Sequence, residues 1–233
     1  TIHYVGGEYD ARTYNSIDTE GNAVAPLRTI PDGEIASVRV GSWDQARIAR
    51  VLYDFTVDSK EASVLMLKYA IVLQSSGHDK IDRPRFTLKV LDAETGTELD
   101  SCTSADFAAQ TSGAGWYRSP VKPGQVDAAD VCWRDWTTVG VNLSEFDGKH
   151  VQVVLTAFGC TATVHYGYAY FTLNCTAGGI EGIQCGDTPT NEFVAPAGFN
   201  YKWYLASDAT KKELGHDQVF SVDSKDDREY RVD

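Results

Sequence analysis

No apolar run in this chain of 233 residues approaches the roughly 20 residues that a bilayer-spanning helix needs; the longest, from Val64 to Leu73, is interrupted by Lys68. A basic-then-apolar leader is also missing, so an exported form would already have lost its signal. There is no positive excess: 33 acidic against 21 basic residues give a formal charge of −12. The summed field repels phosphates, which disfavours nucleic acid and anionic membrane surfaces as partners and argues against membrane insertion of this chain. Cys102, Cys132, Cys160, Cys175 and Cys185 form no CxxC pair, so neither a zinc ribbon nor a redox dithiol is suggested. The GxSxG, HExxH, P-loop and dinucleotide fingerprints are missing too, and no catalytic residues are assigned. Finally, no segment repeats its apolar residues at helical spacing, which leaves no crossover helices for a parallel α/β fold.

What the sequence does have is a period of two. Val51, Tyr53, Phe55 and Val57 alternate with polar or exposed-type positions and predict a strand with one buried face. "SVLMLKYAIVLQ" (63–74) is almost continuously apolar and predicts a central strand covered on both sides. Phe86, Leu88 and Val90 mark another strand, as do Val139, Val141 and Leu143, and then Val151, Val153, Leu155 and Ala157 after the turn "SEFDGK". Seven or more short strands joined by turns predict an all-β chain, an antiparallel β-sandwich of jelly-roll type over residues 1–176, with 1–34 an irregular N-terminal segment.

A second unit is expected over 177–233. Cys185, Trp203 and "DDREYRV" fit an immunoglobulin-type framework: a strand-B cysteine, a strand-C tryptophan and a tyrosine corner at Tyr230. Val232 stands where the second cysteine would be, and the chain stops at Asp233 before a last strand could form, so this Ig-like or PKD-like domain is expected to be truncated.

Four stretches carry candidate chemistry. In "HYGYAYFTLNC" (165–175), alternation puts Tyr166, Tyr168 and Tyr170 on one face and His165, Gly167, Ala169 and Phe171 on the other. An exposed row of rings would stack on the apolar faces of sugars, whereas a covered row would be core, and both readings stay open. "SSGHDKIDRPRF" offers His78, Arg83 and Arg85, whose guanidinium forks suit a carboxylate or sugar acid, or else a solvated loop. Trp133 and Trp136, with Trp116 nearby, suit either a ligand cleft or core packing. His78 and His165 lack a third metal ligand at a useful spacing, so no metal site is assigned; a structural calcium ion is conceivable for such sandwiches but no ligands are named for it.

The cysteines have a geometric handle. A continuous strand over 164–174 would be about 33 Å long at roughly 3.3 Å per residue, which separates Cys160 from Cys175 by far more than a disulfide spans. Cys102 is the expected partner of Cys160, a choice the strand geometry does not itself make.

The segments "VRVGSWDQARIARVLYDFTVD", "YAIVLQSSGHDKIDRPRFTLKVLD", "DWTTVGVNLSEFDGKHVQVVLTAFGC" and "HYGYAYFTLNC" together resemble a module of large secreted and cell-surface proteins of Bacteroidetes, where it sits beside PKD-like or Ig-like repeats and gliding-motility-associated C-terminal regions. The hairpin from Trp136 to Val153 is similar to one in galactose-binding-like and MAM-type jelly rolls. The resemblance implies a non-catalytic extracellular module that serves adhesion or ligand binding at the cell surface, with a glycan or protein ligand and one or two disulfides. A carbohydrate-binding module of a glycan-degrading system is the alternative, and a hydrolase without a recognisable signature is a second.

Overall fold

The computed structural model describes residues 2–4, 8–43, 48–75, 79–99, 104–110, 113–120, 129–161, 164–179, 181–183, 189–196 and 198–233. Along them run β1 (Ile2–Tyr4), β2 (Ala36–Gly41), β3 (Ala49–Thr56), β4 (Val64–Gln74), β5 (Arg85–Asp92), β6 (Ala105–Ala108), β7 (Tyr117–Ser119), β8 (Val131–Asn142), β9 (His150–Phe158), β10 (Gly167–Thr176), β11 (Glu181–Ile183), β12 (Thr190–Val194), β13 (Trp203–Leu205), β14 (Val219–Asp223) and β15 (Tyr230–Val232). The only helical pieces among the described residues are two single 3-10 turns, Lys80–Asp82 and Ser144–Phe146. The chain is all-β, as the period-two patterning predicts.

Two compact units divide it: residues 1–57, 67–137 and 148–173 form the first, and 58–66, 138–147 and 174–233 the second. This division differs from a single cut after residue 176. The turn 58–66 and the end of β8 with its following turn group with the C-terminal residues, a pairing of distant segments that no local pattern announces.

In the first unit a six-stranded sheet, in the order β1-β2-β10-β4-β8-β7, faces a four-stranded one, β3-β9-β5-β6. Their antiparallel ladders fix which faces meet. Phe86, Leu88 and Val90 of β5 and Val151, Val153, Leu155 and Ala157 of β9 are essentially fully buried between the sheets. From the opposite side β4 contributes Leu67, Tyr69, Ile71 and Leu73, and the Tyr69 ring lies 5.5 Å from that of Phe86. Gly167 of β10 permits this approach: a Cβ there would stand 2.6 Å from the Phe158 carbonyl oxygen and 2.9 Å from Leu73 Cδ2. Of the predicted strands, β3 departs from expectation. It lies at an edge, and the side meant to be buried is only half covered, with Tyr53 45% exposed.

The other face of the six-stranded sheet is also covered, by residues 8–30. These were expected to be irregular, and they are. Leu27 nevertheless joins Ala70, Val72, Val131, Trp133, Tyr166, Tyr168 and Tyr170 in a buried cluster. The segment is held by turns and isolated bridges, Tyr9 to Arg28, Ile17 to Ala23 and Ile17 to Arg118, rather than by a ladder. It makes a third layer that satisfies its backbone piecemeal.

The second unit carries a three-stranded sheet, β11-β12-β14, and a two-stranded one, β13-β15. Trp203 is buried, stacks on Phe220 at 5.2 Å and donates its indole N–H to the Asp217 carbonyl at 2.8 Å. The Tyr230 hydroxyl donates to the Asp226 carboxylate, 2.5 Å away and four residues upstream. Cys185 lies outside the described residues. The strand that faces Trp203 begins only at Thr190, and Phe193 supplies the ring opposite it, at 6.4 Å.

Candidate functional site

The tyrosine row is core. Tyr166 is 8% exposed, Tyr168 and Tyr170 at most 1%, so no face of the row is available for sugar stacking. The ring centroids are 6.0 Å apart for Tyr166 and Tyr168, and 5.8 Å for Tyr168 and Tyr170. Both the Tyr168 and the Tyr170 hydroxyl donate to the same oxygen of buried Asp10, at 2.7 and 2.8 Å, while the other Asp10 oxygen accepts from the Arg12 backbone N–H. Burial pushes the Tyr166 phenol up to about 12 and raises Tyr168 and Tyr170 as well, the Asp10 carboxylate adding to the effect for each.

Of the tryptophans, Trp133 shares this fate and Trp136 lies half-buried beside it. Trp133 is buried, stacks on Tyr117 at 4.5 Å and donates to Ser16 Oγ at 2.8 Å; Trp136 packs against the same cluster and donates to the Arg28 carbonyl at 2.8 Å. Every acceptor of these side-chain hydrogen bonds, in Asp10, Ser16 and Arg28, comes from residues 10–30. Asp10, Ser16 and Leu27 carry no periodic signal in the sequence, and only the unusual density of tyrosines opposite them hints that a cover is needed.

A concavity lies elsewhere, on the outer face of the four-stranded sheet. A groove of about 810 Å³ runs over β3, β9, β5 and β6. Its floor is the alternate residues of those strands that point away from the core: Arg50 and Leu52, then Gln152, Val154 and Thr156, then Arg85, Thr87, Lys89 and Leu91, and finally Asp106. Ile48, Ile81, Asp82, Arg83 and Cys160 lie around it. Arg83 and Arg85 are thereby brought to a shared cavity. His78 lies outside the described residues, so its pairing with His165 has no structural counterpart here.

Four basic side chains against two acidic ones line this groove, in a chain whose overall charge is −12. Their partners differ. Arg85 clasps Asp106 through a two-pronged contact, and Lys89 reaches Glu98 at 2.6 Å. Lys89 and Ser104 together hold Glu98 below its ordinary carboxylate range. Arg83 donates to the Ala109 carbonyl at 3.3 Å, Gln152 to Asp54 at 2.7 Å, and Thr161 to Asp82 at 3.0 Å. Arg50 is exposed and has Thr156 Oγ1, at 3.3 Å, as its partner; no carboxylate meets it among the described residues. The arrangement offers a guanidinium, hydroxyls and an amide over a floor with two exposed aliphatic side chains, Ile48 and Leu52. Such a surface can orient a polar ligand that carries a negative charge.

Among the described residues no three His, Cys, Asp or Glu side chains converge as metal ligands. Cys132, Cys160 and Cys175 are free thiols, the first two buried and the third exposed. The separation of Cys160 from Cys175 follows the sequence argument. The expected bridge from Cys160 to Cys102 does not form on the Cys160 side, where Sγ instead accepts the His165 backbone N–H at 3.2 Å; Cys102 itself lies outside the described residues.

In comparisons with known proteins, no family model and no curated protein matches the chain.

Proposed function

We propose that the protein is a non-catalytic binding module, exported and displayed at the cell surface, whose groove over the four-stranded sheet takes an acidic glycan. The observation that carries this reading is the concentration of basic side chains in the groove of a strongly acidic chain, with Arg50 facing no carboxylate among the described residues. A uronic or sialic acid carboxylate suits the Arg50 fork, and neighbouring sugar hydroxyls suit Gln152 and Thr87. Leu52 and Ile48 offer an apolar floor to the sugar ring. The resemblance to Bacteroidetes surface modules supports display outside the cell and a role in adhesion. Burial of the tyrosine row moves the carbohydrate reading away from an aromatic platform and toward this charged groove.

The test is a glycan array containing acidic saccharides and their neutral counterparts, followed by titration of the best ligand against the unmodified chain and Arg50→Ala. Binding restricted to acidic glycans, weakened about tenfold by Arg50→Ala and by added salt, is expected. Absence of binding to any acidic glycan, or binding indifferent to Arg50→Ala, rejects the reading. Turnover of the bound glycan would reject its non-catalytic part.

A further inference from the structure

The edge strand β3 has the composition of an interface. An exposed sheet edge is normally blunted by proline, charged side chains, a bulge or shortness; β3 reads ARVLYDFT, is eight residues long, has no proline, and its two charges, Arg50 and Asp54, are of opposite sign. Leu52 is 53% exposed and Tyr53 45%, and Ile48, just before the strand, 67%. Among the described residues β3 pairs with β9 alone.

The backbone parity of this edge follows from its neighbours. The Val57 N–H donates to the Lys149 carbonyl and the Val57 carbonyl accepts from Gly148, so odd-numbered residues of this strand turn their polar groups toward β9. His150 bonds the other way, accepting from Ala93 beyond β5, which gives the same parity. In an antiparallel ladder the alternate residues point outward. Arg50, Leu52, Asp54 and Thr56 therefore present N–H and C=O groups along the open edge.

We propose that this edge pairs with its own copy, joining two chains through antiparallel β3 strands about a two-fold axis at Leu52. In that register Leu52 faces Leu52, Arg50 faces Asp54 and Val51 faces Tyr53, so each outward backbone group of residues 50, 52 and 54 finds a partner. The strand is self-complementary in charge as well as shape: Arg50, which meets no carboxylate among the described residues of its own chain, opposes Asp54 twice per pair. Among the described residues, Asp54 accepts from a neutral amide, that of Gln152, through one oxygen. On the inner side, Tyr53 and Phe55, whose rings are 5.5 Å apart, gain Val51 and Ala49 as cross-strand neighbours. A shift by one residue would set the two side-chain faces against each other, and a shift by two would break both charge pairs. The product is one continuous eight-stranded sheet, and its closed two-fold symmetry uses up the edge instead of propagating it. The two grooves then lie side by side on the same face, across Leu52, and a ligand carboxylate competes with the Asp54 of the second copy for each Arg50 fork.

Sedimentation and light scattering over a concentration series test this on the full chain, with circular dichroism confirming the fold of each variant. A concentration-dependent dimer is expected. Arg50→Asp, which sets two carboxylates against each other at both ends of the pair, should raise its dissociation constant at least about tenfold, and adding Asp54→Arg to it should restore association. Leu52→Pro removes an N–H that points away from β9 and should abolish the dimer while the fold survives. Amide exchange at Arg50, Leu52 and Asp54 should slow with concentration, and that at Val51 and Tyr53 should not change. A chain that stays monomeric up to roughly millimolar concentration, a dimer unaffected by Arg50→Asp, or a charge swap that fails to restore it would overturn the proposal.

Discussion

Tyr168 donates its hydroxyl to Asp10 across 2.7 Å of space and 158 residues of sequence. Tyr170 donates to the same oxygen at 2.8 Å, so one buried carboxylate fastens the N-terminal segment to the outer face of the six-stranded sheet. Replacing it leaves two buried phenol groups without an acceptor. Asp10→Ala should cost about 2–5 kcal/mol of unfolding free energy in urea titration. Combining it with Tyr168→Phe and Tyr170→Phe should recover part of that loss, because no polar group is then stranded.

The same cluster sets a response to alkali. Tyr166 is raised from 10.0 to about 12, and Tyr168 and Tyr170 are raised too, burial being the first cause in each case. The folded chain holds these protons more tightly than the unfolded one. Their contribution to stability is therefore complete below the unfolded value of 10.0 and is lost as pH rises from there through the folded values. Urea midpoints should decline above about pH 10, in step with ultraviolet tyrosinate absorbance, and Tyr168→Phe with Tyr170→Phe should flatten that decline.

At the opposite sheet interface, Gly167→Ala adds a methyl group 2.6 Å from a backbone oxygen that cannot swing aside. Overpacking of this kind should cost about 1–3 kcal/mol, seen as a lower melting temperature.

In the groove, Asp106 occupies the Arg85 fork, and both side chains are well exposed. An exposed ion pair contributes at most about 1 kcal/mol, so Asp106→Ala should leave the melting temperature nearly unchanged. Freed of its partner, Arg85 should bind acidic glycans several-fold more tightly by titration calorimetry.

The thiols give a direct check on the chain path. Peptide-resolved alkylation of the native protein should modify exposed Cys175 quickly and spare Cys132 and Cys160 until denaturant is added. Cys132 is protected twice, since burial also pushes its thiol up to about 11. A bridge found between Cys160 and Cys175 would contradict the run of β10 between them.

The sequence by itself determined the strands and their inward rows. Phe86, Leu88 and Val90, or Val151, Val153 and Leu155, announce a buried face because alternation is a property of one strand alone. The two-sided burial of β4 was legible from an apolar run broken only at Lys68. The roles of the faces were decided only by the tertiary structure. Whether Tyr166, Tyr168 and Tyr170 meet ligand or core depends on Asp10 and Leu27, which approach from the far end of the chain without any local pattern. β3 shows period two as clearly as β5 does, yet it lies at an edge, since coverage depends on which strands come to flank it. The groove gathers Arg50, Gln152, Arg85 and Asp106 from four strands spread over a hundred residues. Their sequence separations carry no trace of a site, because its spacing is set by the distance between neighbouring strands of a sheet.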